Sequence, residues 1–128
     1  MLESIQMSHG EILVADDDAA IRTVVAQALS RAGYEVRTTG TAATLWRWVQ
    51  SGEGDLVVTD VEMPRMDGFE VARQIRHDDR LSNLPIVMIS SRTGSKHQER
   101  AEELGVNRFL GKPFQENELL ATIAELVH

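Results

Sequence analysis

The chain contains no cysteine. That absence excludes disulfides and thiolate metal sites, and it suits a reducing compartment. No apolar run approaches the roughly 20 residues that a membrane-crossing helix needs, which argues against a membrane partner. The opening stretch MLESIQMSHG has neither a basic flank nor a long apolar centre, so it is not a secretory signal. Residues 1–10 read instead as a disordered leader. Positive charge is also scarce: 13 Lys and Arg face 20 Asp and Glu, for a net charge of −7. A chain of that sign lacks the basic footprint of a nucleic-acid-binding domain. No internal repeat, low-complexity tract or linker interrupts residues 11–128. What is there is ordinary for one globular domain: 128 residues, 42% hydrophobic and 26% charged, enough for a single core.

Within that domain, strand and helix patterns alternate five times. Glu11–Ala15 is apolar on both alternations, which predicts a strand buried on both faces. A helix is predicted over Ala19–Ala32, with Ile21, Val24, Val25, Ala28 and Leu29 on its stripe, Asp18 as N-cap and Gly33 as C-cap. Tyr34–Thr38 reads as the second strand. Thr41–Gln50 reads as a helix with Ala42, Leu45, Trp46 and Val49 inward and Trp48 outward. Then follow a strand over Asp55–Asp60, a helix over Phe69–His77 and a strand over Pro85–Ser90. A helix over Lys96–Leu104, a strand over Val106–Leu110 and a closing helix over Glu116–Val127 complete the pattern. Five such units predict an α/β fold: a doubly wound, five-stranded parallel sheet with right-handed crossovers. The expected strand order is the flavodoxin-like 2-1-3-4-5.

That order places the carboxyl ends of strands 1 and 3 side by side, at the switch point where ligands bind in such sheets. Asp16 and Asp17 would then adjoin Asp60, which ends the third strand. A strand-end aspartate also serves simply as a loop cap, and Asp60 alone does not choose between the two. Beyond it, Pro64 and Gly68 impose irregular backbone, since Pro64 lacks an amide donor and Gly68 tolerates positive φ. Three crowded carboxylates repel one another, and a hard divalent cation with oxygen ligands relieves that; Mg²⁺ is the abundant candidate. Asp18 is accounted for by the helix N-terminus that it caps. Strand 4 delivers the hydroxyl of Ser90 to the same edge, and strand 5 delivers Lys112. Pro113 restricts Lys112 to extended backbone, and a cis bond between them is expected. A carboxylate nucleophile, a cation site, a hydroxyl and an ammonium are the parts required for phosphoryl transfer to a carboxylate.

With ILVADDD, LVVTDVEMPRMDG, VMISS and FLGKPF in this order, the chain resembles the receiver domain of bacterial two-component response regulators over residues 11–127. The resemblance implies that Asp60 accepts a phosphoryl group from the phosphohistidine of a histidine kinase or histidine phosphotransfer domain. It implies that Asp17, Asp60 and the backbone carbonyl of Glu62 bind Mg²⁺, with Asp16 helping through water. Ser90 matches the family's switch hydroxyl, Lys112 its lysine and Phe109 its switch aromatic, although a permanently buried core residue would suit position 109 equally. Glu62 and Arg92 stand where the family tunes the lifetime of the phosphorylated state. The implied protein is a cytoplasmic signalling switch that catalyses its own phosphorylation and dephosphorylation. Its switching face is helix 4, strand 5 and helix 5, through which a homodimer would form.

Residues 11–60 most resemble receivers of nitrogen-regulation activators, whereas residues 61–127 look more like the terminal receiver of a hybrid chemotaxis-type kinase. A chain of two origins is the corresponding expectation. Three other classes fit less well. A haloacid-dehalogenase-type phosphatase would have Thr or Val two residues after its second acid, where Asp16-Asp17-Asp18-Ala19-Ala20 ends in Ala20. A flavodoxin or nucleotide-binding module would carry a Gly-rich phosphate loop after strand 1, which is missing here. An interaction module independent of phosphorylation would not need the assembled acids and lysine.

Overall fold

The computed structural model describes residues 10–127. The elements run β1 (Glu11–Ala15), α1 (Ala19–Arg31), β2 (Glu35–Thr39), α2 (Ala42–Gln50), β3 (Leu56–Asp60), α3 (Gly68–His77), β4 (Ile86–Ser90), α4 (Ser95–Glu103), β5 (Arg108–Gly111) and α5 (Glu116–Leu126). A single 3₁₀ turn at Asp79–Leu81, which the apolar pattern does not signal, follows α3. The sheet is wholly parallel, in the order β2-β1-β3-β4-β5. The expected doubly wound architecture is therefore present.

Both faces of the sheet are covered, and the core has two halves. One packs Leu13, Val57 and Met88 against α2, α3 and α4, through Leu45, Val49, Ala72, Ile75 and Ala101. The other packs Ile12, Val58 and Ile89 against α1 and α5, through Val25, Leu29, Leu119 and Ile123. Alternate residues of the same strand feed opposite halves, as a strand's period of two demands. Every residue of β3 and β4 is buried, which explains their unbroken apolar runs.

Several boundaries differ from the predicted ones, each for a local reason. Tyr34 lies outside β2 because its amide donates to Leu29 O, closing the end of α1. Ala32 is the cap residue of α1, and Gly33 follows it at φ +99°, the left-handed conformation that favours glycine. Val106 likewise closes α4 through Ala101 O, so β5 starts later than its apolar pattern suggests. Val24 is 57% exposed and does not belong to the inward stripe of α1. Trp46 and Trp48 are both half-buried, and the ring of Trp48 lies 5.0 Å beneath the Arg37 guanidinium rather than facing free solvent. Of the expected leader, only Gly10 lies within the described residues, and its carbonyl accepts from Glu35 N.

Candidate functional site

Register brings the acids together. Ala15 pairs with Thr59, so the next residues, Asp16 and Asp60, emerge side by side at the carboxyl edge. Suitably placed oxygens of Asp16, Asp17 and Asp60 lie within 4.8 Å of one another. Ser90 pairs with Gly111, and Lys112 N donates to Ser90 O at 2.8 Å, which delivers the lysine to the same edge. Its ammonium stands 2.9 Å from Asp16 Oδ2 and 3.3 Å from Asp60 Oδ1. The Lys112–Pro113 bond is cis, as the sequence suggested.

The three acids are not equivalent. Asp16 is fully buried; its Oδ1 accepts from Asp18 N at 2.8 Å, and its carbonyl accepts from Arg22 Nη1 at 2.6 Å. Asp17 is exposed, and Asp18 caps α1 by accepting from the amides of Ala20 and Ile21. Asp60 is 2% exposed. Burial, followed by repulsion from Asp16, pushes its carboxyl up to about 7, although Lys112 pulls the other way. Burial draws Lys112 downward, but the carboxylates of Asp16 and Asp60 outweigh it and leave the ammonium above its ordinary value. Asp16 Oδ2 and Asp60 Oδ1 touch that ammonium ionically, yet neither is the acceptor of a well-directed hydrogen bond. Two under-satisfied carboxylate oxygens beside a third acid form a donor set that fits a hard divalent cation.

The loops around the acids are shaped by close approach. A Cβ on Gly68 would lie 2.3 Å from Asp60 O, so only glycine lets the start of α3 pass beneath the site. That replaces tolerance of positive φ as the reason for Gly68; among the described residues, the non-glycine residue with positive φ is Arg65, at +71°. A Cβ on Gly111 would come within 2.5 Å of Thr93 Cγ2, which keeps the loop after β4 against the base of Lys112. Phe109 is partly buried and packs against the edge of the core.

One contact of the site was not foreseen. Ser90 Oγ donates to the carboxylate of Glu62, at 2.9 and 3.0 Å to its two oxygens. The available signal was Glu62's position two residues beyond Asp60, since alternation in extended backbone returns a side chain to the same side. Asp17, Glu62, Met63, Phe69, Arg92 and His97 help to line an open depression of about 460 Å³ beside the acids.

The sequence model of the response regulator receiver domain matches residues 12–124. The chain belongs to that family. Receiver domains are the phosphoacceptor modules of two-component signalling, and they interact with histidine kinases or phosphotransfer partners. Among its relatives, the DNA-binding transcriptional regulator NtrC of Bradyrhizobium sp. is 52% identical over 117 residues, and that of Rhizobium meliloti is 50% identical over 117. Each alignment covers 91% of this chain but 24% of the NtrC protein, so this receiver spans about a quarter of those relatives. Both alignments cross the two halves of the chain, and the expectation of two origins finds no support in them. Among solved structures, the chemotaxis response regulator CheY4 of Vibrio cholerae is similar, with a TM-score of 0.85 and 31% identity. That likeness covers 91% of this chain and 98% of CheY4. A response regulator of Chloroflexus aurantiacus gives a TM-score of 0.87 at 26% identity, covering 91% and 96% of the two chains.

Proposed function

We propose that residues 11–128 form one receiver unit whose phosphoacceptor is Asp60. The reading is supported above all by the position of the Lys112 ammonium between two buried carboxylates at the end of the central strands. In the reaction, a carboxylate oxygen of Asp60 attacks the phosphorus of a phosphohistidine. The phosphorus–nitrogen bond breaks as the acyl phosphate forms. Lys112 offsets charge on the phosphoryl oxygens, and Ser90 supplies a hydrogen bond to one of them. Asp17, Asp60 and the Glu62 carbonyl would hold Mg²⁺, with Asp16 acting through water; the ion would neutralise carboxylate and phosphoryl charge. Asp16 also orients Lys112 through its own contact with the ammonium.

A kinase or phosphotransfer partner would dock beside Lys112. There Ile21, Val24 and Phe114 line an apolar depression of about 220 Å³, and Val24 is the large apolar side chain that α1 leaves exposed. Phosphorylation adds about 1.5 to 2 negative charges, and Ser90 and Lys112 respond to them. That response biases the face formed by α4, β5 and α5, where we also place the homodimer contact. No helix among the described residues is long and apolar enough to cross a membrane, in keeping with a cytoplasmic site of action. Incubation with acetyl phosphate or beryllofluoride and Mg²⁺ tests the assignment. The wild type responds and Asp60→Ala does not; a silent wild type, or a full response in the variant, would remove it.

A further inference from the structure

Ser90 has one hydroxyl proton to give, and in this arrangement it is already committed. The proton goes to the Glu62 carboxylate, while the hydroxyl oxygen accepts from Arg92 N at 2.9 Å. Ser90 is fully buried, whereas Glu62 is only partly so. Asp60 Oδ1, equally buried, has no hydrogen-bond partner. Ser90, one residue beyond the Asp60–Ile89 pair, therefore turns its hydroxyl to Glu62, 28 residues away in sequence.

We propose that Glu62 is a positioning residue that holds the Ser90 hydroxyl in the resting arrangement, so that a phosphoryl group on Asp60 has to win Ser90's single proton from it. The inference rests on Asp60 being the phosphoacceptor and names what opposes the switch at that site. A bond to an ionised acceptor is roughly twice as strong as a neutral one, so the resting contact is a real competitor. The phosphoryl group is also an ionised acceptor and carries more charge. The exchange consequently runs forward on phosphorylation and back on hydrolysis. Glu62 additionally repels negative charge at Asp60 simply by being anionic, and that effect has to be separated from the shared proton.

Beryllofluoride binding in the presence of Mg²⁺, followed by titration of backbone amide resonances, separates them. Glu62→Ala is expected to bind about tenfold more tightly than the wild type, the scale of one charge-assisted hydrogen bond. Glu62→Gln, which keeps an acceptor oxygen without the charge, falls between them. In a Ser90→Ala background the Glu62→Ala change shifts affinity clearly less than in the wild type, because no proton is left to compete for and only the repulsion is relieved. Ser90→Thr restores the hydroxyl and with it the full effect. Equal tightening with and without the hydroxyl reduces Glu62 to a surface charge and overturns the proposal, as does an unchanged affinity in Glu62→Ala. In either of those outcomes the wild type still binds beryllofluoride. A wild type that fails to bind it removes the phosphoacceptor reading and this one together.

Discussion

Helices α3 and α4 are neighbours of similar length on the same face of the sheet, yet they are held in opposite ways. The ten residues of α3 bury Gly68, Phe69, Val71, Ala72 and Ile75, and Asp67 caps it by accepting from Glu70 N at 2.9 Å. Among the nine residues of α4, only Ala101 is buried, and Gly94 precedes the helix without a side-chain cap. The two meet through Phe69, whose ring lies 5.7 Å from that of His97 and 5.1 Å from the Arg100 guanidinium. The difference fits the proposed function. The start of α3 passes directly under Asp60 and has to stay where it is, whereas α4 belongs to the face proposed to move. An element with little apolar burial opens at low free-energy cost, and that suits it to switching.

The contrast is broken most directly in the core. Ile75→Ala is expected to cost about 2 to 5 kcal/mol, against about 1 kcal/mol for Ala101→Gly on α4. Urea unfolding of the two variants measures both, and equal losses would end the distinction. The acids that α3 supports produce the next effect. With Asp60 raised from 3.8 to about 7, the folded state prefers the protonated form. In chelator-treated protein, stability should therefore fall as pH rises from about 4 to about 7, by about 2 to 4 kcal/mol at 1.36 kcal/mol per pH unit. Asp60→Asn should flatten that slope and be the more stable protein at pH 7; parallel profiles for the two would show that Asp60 titrates normally. Smaller again is the cap of α3: Asp67→Ala should lower stability by about 1 kcal/mol in thermal unfolding. Smallest is the reciprocal change, Gly94→Asp, which supplies the cap that α4 lacks and should add a few tenths of a kcal/mol. Its sharper readout is hydrogen exchange. Amides of α4 exchange before those of α3 in the wild type, and Gly94→Asp narrows the gap.

Much of the fold was legible because its signals are local. The apolar runs of Leu56–Asp60 and Ile86–Ser90 belong to strands buried on both faces, and periodicity located the helices to within a few residues. Errors fell where a distant or non-periodic contact decides. Val24 fits the stripe of α1 by spacing, yet it lies over the apolar depression beside Lys112. Tyr34 and Val106 have the right composition for strands, but their amides close the preceding helices. Gly68 was recognised as special for the wrong reason, since what it permits is proximity to Asp60 O rather than an unusual φ. At the site, strand order alone was sufficient to bring Asp16, Asp60 and Lys112 together.

The amino-acid order by itself determined which residues form strands and helices, and hence which side chains arrive at the carboxyl edge, because backbone periodicity and capping act over a few residues. Only the tertiary structure decided that Asp16 is buried while Asp17 is exposed, that Lys112 bridges two carboxylates, and that the Ser90 proton goes to Glu62. Burial and hydrogen-bond partnership depend on groups far apart along the chain, and their balance is set only when the strands lie side by side.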